Sequence, residues 1–492
     1  MNGRTSATHP LLIAEVSAGP SLGRVGLTFC PGKQQSGALS GSWARDLGLD
    51  LDAIEAWGAA AVITLVEQHE LDRLGVAGMG EAVADRHMSW FHMPITDVST
   101  PGPGFEKEWA GTGEALRAIL RSGFDVLIHC KGGLGRAGMI SARLLVELGW
   151  AADDAIATIR RERPGAIETS AQEAHVRAQS AIGEPFRDGR TPAARERAIG
   201  SLLGLAVGDA IGTTLEFKPR DTCPRLTDMV GGGPFGLEAG QWTDDTAMAL
   251  ALGHSLVAQR ELDELDLMTR FVAWWRRGEY SCTGSCFDIG ITTREALARF
   301  ESGGNPIAGS TQPHAAGNGS LMRLAPVVLN SFVSGPVGGG DIARRQSATT
   351  HGAAACLDAC YEFSFILYLA MTGKNRSFVF QPREREAGAQ IARILSGSWR
   401  GARREQISST GYVAHSLEAA LWCVGRTTSF RDAVLLAANL GDDADTTAAI
   451  TGQLAGALYG KSDIPSDWLE KLAWRDEIEE LAISLFENDD GL

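Results

Sequence analysis

From Arg195 to Leu492 strand-like β-branched runs are scarce, and this absence restricts the fold more than any other feature. Ala- and Leu-rich runs recur there instead, at residues 198–207, 247–257 and 433–440. Such side chains lose little rotamer freedom in a helix, so these runs predict helices. Gly-rich loops lie between them, for example at 230–234 and 316–320. The expectation is an all-α half with functional loops. No fixed-period repeat is evident, which disfavours a solenoid.

Residues 1–182 read differently. Runs at 59–66 and 124–129 read as buried strands, and 114–120 and 138–148 as helices. That alternation predicts an α/β domain with a central sheet. Residues 184–194 carry Pro, Gly and charge without periodicity and read as a linker. The expected division is therefore 1–183, a linker at 184–194, and 195–492. At 492 residues, two or three domains are expected.

Composition removes some functions. A net charge of −15 argues against binding to nucleic acid or anionic membranes. No window is read as a membrane span, and Leu11-Leu12-Ile13-Ala14 is too short for a signal peptide. Eight cysteines are few for this length, so a disulfide framework is not expected and a cytoplasmic location is. Cys282/Cys286 and Cys356/Cys360 have helical i,i+4 spacing. The usual C-x₂-C spacing of zinc sites is missing, so buried thiols are favoured over zinc.

Two acidic knots stand out in the second half. Gln241-Trp242-Thr243-Asp244-Asp245-Thr246 precedes an apolar run, and Gly441-Asp442-Asp443-Ala444-Asp445-Thr446-Thr447 precedes another. Both read as helix starts with Thr and Asp in capping positions. Capping needs one such residue, not four. Two oxygen-rich clusters, distant in sequence, can close around hard divalent cations.

In the first half, Ile128-His129-Cys130-Lys131-Gly132-Gly133-Leu134-Gly135-Arg136-Ala137-Gly138 falls between a strand and a helix. Gly132, Gly133 and Gly135 let backbone N–H groups turn around an oxyanion, and the helix N-terminus adds positive potential. The same features favour a Cys130 thiolate, and Arg136 offers a planar fork for phosphoryl oxygens. This stretch resembles the H-C-x₅-R signature of cysteine-dependent tyrosine and dual-specificity phosphatases. Gly26-Leu27-Thr28-Phe29-Cys30-Pro31-Gly32, Pro94-Ile95-Thr96-Asp97 and Gly165-Ala166-Ile167-Glu168-Thr169 look like the kinase-associated phosphatase-like members. The resemblance implies Cys130 as nucleophile, Arg136 as phosphate ligand and Asp97 as general acid. His129 is read as orienting the phosphate loop and supporting the thiolate, with simple packing as the alternative. Ala137 stands where the family usually has Ser or Thr, which implies slower breakdown of a cysteinyl phosphate.

The second half resembles the ADP-ribosylglycohydrolases of the dinitrogenase reductase-activating type. The matching runs, in order, are Gly204-Leu205-Ala206-Val207-Gly208-Asp209-Ala210-Ile211-Gly212 with Glu216-Phe217, the 240–246 run, and Cys286-Phe287-Asp288-Ile289-Gly290. Ala316-Gly317-Asn318-Gly319-Ser320-Leu321-Met322-Arg323, Thr350-His351, the 442–447 run and Asp463-Ile464-Pro465-Ser466-Asp467-Trp468-Leu469 follow. The resemblance implies two divalent ions, Mg²⁺ or Mn²⁺, held by Thr243, Asp244, Asp245, Asp443, Asp445 and Thr446. Asp442 is expected as a neighbour rather than a ligand. Glu216 is implied as acid/base or gate, and Asp288 as general acid/base. The loop Gly317-Asn318-Gly319, like 231–233, offers backbone N–H groups to a pyrophosphate, or is a simple turn. His351 lines the nucleotide pocket or is structural. Ile291 stands where the relatives have Asn, which leaves the acceptor open.

The whole chain thus reads as a multidomain protein, an α/β phosphatase domain followed by an all-α ADP-ribosylglycohydrolase domain. The implied function is a bifunctional hydrolase. One half would remove ADP-ribose from protein side chains, arginine foremost. The other would hydrolyse phosphoproteins or small phosphoesters. The alternative is an active glycohydrolase carrying a weak or non-catalytic phosphate-binding module.

Overall fold

The computed structural model describes residues 4–38, 41–184 and 192–487. The chain divides into two compact units, Met1–Pro185 and Phe186–Leu492. Of the expected linker, 185–191 lie outside the described residues, and Pro192 already opens a helix.

The first unit is built on a five-stranded sheet. Its strands are β1 (Ala14–Ser17), β2 (Arg24–Phe29), β3 (Ala59–Thr64), β4 (Ser89–His92) and β5 (Asp125–Cys130), in the order β1-β2-β5-β3-β4. Only β1 is antiparallel to its neighbour. All six residues of β3, Ala-Ala-Ala-Val-Ile-Thr, are buried, as a parallel strand covered on both faces requires. Central β5 ends at Cys130 and leads through the Gly-rich turn into helix α2 (Gly135–Glu147). The helix expected at 114–120 is the last part of the longer α1 (Pro103–Arg121). Its start is masked in the sequence by Gly111 and Gly113, which lower helix propensity. Gly113 has a packing reason, since a Cβ there would lie 2.7 Å from Trp109 Nε1.

The second unit is helical, as its composition predicts. Three helices position the site: α3 (Pro192–Gly212), α4 (Asp244–Gln259) and α5 (Ala444–Tyr459). Helices α3 and α5 run antiparallel along a seam of small residues. Gly200, Gly204, Gly208 and Gly212 face Gly456, Gly452, Ala448 and Ala444 in that order. Four-residue spacing places each set on one helix face. A Cβ on Gly204 would stand 2.3 Å from Gly452 O, and one on Gly452 would stand 1.9 Å from Gly204 O. Only hydrogen fits at these positions.

One expectation is corrected here. Helices Ala193–Leu215 and Ala354–Met371 are long and apolar enough to cross a membrane by length and composition. The sequence reading missed them because isolated polar residues such as Asp209 and Glu362 interrupt both runs. Their apolar windows are 94% and 61% buried within the protein, where a globular helical core also demands apolar surface on several sides.

Gly204→Ala tests the seam. On propensity alone Ala would stabilise a helix by about 0.5–1 kcal/mol. Here the collision should reverse the sign and cost about 1–3 kcal/mol. Calorimetry should show a lower Tm for the second unit, and a raised Tm would refute the seam.

Candidate active sites

Within the first unit, Cys130 is buried at the end of β5, and the Gly133 N–H donates to its Sγ at 3.2 Å. Gly133 has φ +71°, and a Cβ there would press to 2.5 Å on the Thr28 carbonyl. A Cβ on Gly135 would meet Glu168 Oε2 at 2.2 Å, whereas one on Gly132 would meet no atom within 4 Å. Arg163 grips the loop from behind. Its Nε donates to Gly133 O (3.1 Å) and its Nη2 to Gly132 O (3.3 Å). Carbonyls held outward leave the N–H groups of the turn facing inward, the geometry of an anion nest.

The Arg136 guanidinium is buried. Its Nη1 donates to Glu70 Oε2 (2.7 Å) and Ile95 O (2.9 Å), and its Nη2 pairs with Asp97 Oδ1 at 2.9 Å. Burial pulls the Arg136 pKa down, but Glu70, Cys130 and Asp97 outweigh it and the net direction is up. Burial pushes the Glu70 carboxyl up, yet its bond to Arg136 holds it below the usual range. Asp97 itself is exposed, on a turn whose next residue, Val98, has φ +61°. A β-branched residue in that region is strained. His129 is fully buried and its pKa is driven down to about 3, so the ring is neutral at pH 7. Its Nε2 bonds Thr64 Oγ1 (2.8 Å), which accepts from Trp90 Nε1 (2.8 Å). Any support it gives a thiolate therefore comes through ring position, not charge.

In the second unit the two acidic knots meet. Thr243 precedes α4, but its side chain does not cap the helix. The cap comes from Asp209 on α3. Asp209 Oδ1 accepts from Thr243 N and Oγ1 (both 2.8 Å), and Oδ2 from Thr246 N (3.0 Å) and Oγ1 (2.6 Å). Glu216 does the same for α5, its Oε2 accepting from Ala444 N (2.8 Å) and Asp445 N (3.2 Å). The capping expected of the Thr and Asp residues is thus supplied by two carboxylates from another segment. The knots' own oxygens are left to face one another. Thr243 Oγ1 is 3.2 Å from Asp445 Oδ2, and Thr446 Oγ1 is 3.4 Å from Asp245 Oδ2.

Two triads of carboxylates result, Asp209/Asp245/Asp445 and Glu216/Asp288/Asp445, each with ligand atoms within 4.8 Å of one another. Asp445 belongs to both. Asp443 accepts from Asn318 Nδ2 at 2.6 Å, and that amide also donates to Ser416 Oγ. Asp442 is exposed, as expected of a neighbour. Burial, then the Asp445 charge, pushes Asp209 and Asp443 up to about 7. Burial and the Asp244 charge push Asp288 to about 11. Glu216, Asp244 and Asp245 also rise, chiefly through burial. Asp245 Oδ1 is buried without a hydrogen-bond partner. An orphaned anionic oxygen among several crowded carboxylates is the environment a divalent cation satisfies. Thr243 gives its hydroxyl proton to Asp209, which leaves its lone pairs for such an ion.

A cavity of about 730 Å³ opens over this cluster, lined by Glu216, Asp244, Asp288, Asn318, His351 and Asp443 among others. His351 is buried and its pKa is driven down to about 3. It fits against the Gly-rich loop, where a Cβ on Gly319 would lie 2.7 Å from its Cε1. The pyrophosphate cradle expected of that loop is corrected in part. Gly317 N–H donates to Ala315 O (2.9 Å) and Asn318 N–H to Gly411 O (3.1 Å), which leaves Gly319 at most. Residues 231–233 do not line the cavity. Gly232 and Leu237 exchange both backbone hydrogen bonds there, which makes a turn. Cys356 and Cys360 lie on the helix Ala354–Met371 behind the loop, donating to Gly317 O and Ser320 Oγ. Cys282 and Cys286 are not helical, so their spacing carries no ligand geometry.

The sequence model of the ADP-ribosylglycohydrolase family matches residues 190–491. The chain belongs to this family. A second model, described as a Swiss Army Knife protein DSP-PTPase phosphatase domain, matches residues 39–176. ADP-ribosylarginine hydrolase Tri1 of Serratia proteamaculans is 46% identical over 291 residues, covering 59% of this chain and 79% of that protein. ADP-ribosyl-[dinitrogen reductase] glycohydrolase of Rhodospirillum rubrum is 33% identical over 297 residues, 58% of this chain and 94% of its own. A solved structure described as an ADP-ribosylglycohydrolase-related protein complex is 39% identical, with TM-score 0.55 over 61% of this chain and 99% of that one.

Three residues escaped the sequence reading. Asp209 carried a signal, a lone carboxylate inside the small apolar run 204–212. Glu70 and Arg163 had none, since each lies among ordinary surface charges.

The raised carboxyls bind protons more tightly folded than unfolded. Between about pH 4, where unfolded carboxyls titrate, and about pH 7 they therefore oppose stability as pH rises. A bound cation displaces those protons. Stability measured in Mg²⁺ minus stability in chelator should thus grow from about pH 4 to pH 7. A constant or shrinking difference in denaturation midpoints would count against a cation site here.

Proposed function

We propose that this chain is a bifunctional hydrolase. Its second unit, residues 195–492, removes ADP-ribose from modified protein side chains, and the acceptor is arginine. The observation that carries this is the pair of carboxylate triads sharing Asp445 at the floor of the cavity. The names of the Tri1 and dinitrogen reductase relatives support it. Thr243, Asp244, Asp245, Asp443, Asp445 and Thr446 would hold two divalent ions, Mg²⁺ or Mn²⁺. When bound, such ions fix ribose hydroxyls and supply an activated water.

The chain's own groups do the rest. Asp209 and Glu216 orient the two helix starts, and Asn318 orients Asp443. Asp288 lines the cavity beside Glu216 and Asp445, and we assign it the proton exchange with the departing acceptor. An oxocarbenium-like ribosyl group would be stabilised by the surrounding carboxylates. His351 presents a neutral ring to the nucleotide.

For the first unit, residues 1–183, we propose phosphomonoester hydrolysis of a phosphoprotein or small phosphoester. Cys130 Sγ attacks phosphorus, and Asp97 protonates the leaving oxygen. Water then attacks the cysteinyl phosphate, gives its proton to Asp97 and releases inorganic phosphate with Cys130 as thiolate. The Arg136 pairing with Asp97 favours a second reading, a phosphate-binding module of low turnover. Substrate must displace that carboxylate before the fork is free. Eight free cysteines support placement in a reducing cytoplasm.

Free ADP-ribose should appear from an ADP-ribosyl-arginine peptide with wild type. Asp443→Ala or a chelator should reduce this by at least about a hundredfold. Cleavage of ADP-ribosyl-serine but not ADP-ribosyl-arginine would overturn the acceptor assignment.

With para-nitrophenyl phosphate, wild type should release phosphate and Cys130→Ser should not. Equal, trace rates for both would leave the binding module as the correct reading. Glu70→Gln should lower kcat/KM by about tenfold if turnover is seen, since it loosens Arg136.

A further inference from the structure

An aromatic row starts at the cavity wall with Phe217 and continues away from it, and none of its rings has a part in the carboxylate cluster. Phe217 directly follows Glu216 and lines the cavity, with its side chain largely exposed at 63%. Phe235 lies edge-on behind it, ring centroids 6.3 Å apart at 74°. Phe287, which directly precedes Asp288, continues the row at 5.2 Å from Phe235. The row therefore joins the two segments that carry Glu216 and Asp288.

An apolar ring this exposed is not explained by core packing, since its neighbours cover only part of it. Its backbone is nonetheless fixed with care. Phe217 has φ +59°, a region non-glycine residues seldom adopt. Phe217 N–H donates to Asp442 O at 2.8 Å, and Asp442 N–H donates to Lys218 O at 2.8 Å. That reciprocal pair ties the ring to the loop bearing Asp443. Strain held by specific bonds at a site edge points to a contact with a ligand.

The chemistry of the surroundings selects the ligand. Phe217 adjoins Glu216 in the chain, and its N–H is held by the carbonyl of Asp442, next to Asp443, so it stands at the acidic part of the cavity. At the acidic end the glycosidic bond is broken, so the group beyond it is the acceptor. An aromatic face bordered by carboxylates complements a planar, weakly hydrated cation. A guanidinium stacks on such a face and keeps its edge N–H groups for the acids. A serine hydroxyl has nothing to offer the ring.

We propose that Phe217, backed by Phe235 and Phe287, is the binding face for the guanidinium of the acceptor arginine. This rests on the arginine glycohydrolase reading above. It makes Phe217 a specificity-determining residue, separate from the groups that hold ions or move protons.

The test compares wild type, Phe217→Leu and Phe217→Trp by steady-state kinetics on an ADP-ribosyl-arginine peptide. Free ADP-ribose, which lacks the acceptor, is titrated calorimetrically against the same proteins. Phe217→Leu keeps an apolar side chain without a π-face. It is expected to raise KM by about five- to tenfold, with kcat and the ADP-ribose Kd within about twofold. Phe217→Trp should restore KM to the wild-type value or below. An unchanged KM in Phe217→Leu would overturn the proposal. A loss of ADP-ribose affinity matching the rise in KM would also overturn it, and would assign the ring to the nucleotide. Absence of any turnover by wild type would instead sink the arginine reading, and this binding face with it.

Discussion

The close approach of α3 and α5 is the constraint on which the second unit depends. With only hydrogens between the backbones at Gly204 and Gly452, the helices lie near enough for the end of α3 to reach the start of α5. Glu216 can then accept from Ala444 and Asp445, while Asp209, about two turns earlier, reaches α4. Carboxylates at helix N-termini are favourable because of the unsatisfied N–H groups there. Here that favourable interaction gathers anionic groups in one place. The partial positive ends of α4 and α5 offset some of their mutual repulsion, but Asp245 still keeps an oxygen with no proton donor. A scaffold that stabilises this much negative charge, and stops short of neutralising it, is one built around a positive guest.

The first unit solves the opposite problem. Its Cys130 loop collects positive character from backbone N–H groups, from α2 and from Arg136. The danger there is excess cation without an anion, and Glu70 and Asp97 fill the vacancy. Glu70 is a permanent partner, buried beside Arg136. Asp97 is an exposed one, on a strained turn.

Much of this was legible in the sequence, and what was not has physical causes. Fold class followed from the contrast between β-branched runs such as 59–66 and the Ala/Leu runs after residue 195. The acidic knots announced themselves because four oxygen-bearing residues exceed what a helix cap needs. Their true caps stayed hidden, because Asp209 and Glu216 act across more than thirty or two hundred positions of sequence. The Gly-rich loop at 317–319 left two readings open for a related reason. Glycine signals either N–H donation or close packing, and only the imidazole of His351 shows that packing is the main demand. The start of α1 was lost to Gly113, kept small by Trp109. Glu70 and Arg163 are invisible to pattern reading because they matter through contacts with the Cys130 loop and Arg136 that are distant in sequence.

The α3–α5 pairing also sets an order of events in time. Glu216 and Ala444 are 228 residues apart, so the acid cluster has no existence until nearly the entire unit has left the ribosome. The sheet around Cys130 needs nothing beyond the first unit, and N-terminal domains fold as they emerge. One polypeptide therefore assembles its two candidate sites in sequence. A nascent chain stalled midway through the second unit would carry an assembled cysteine loop and a half-built cation cage.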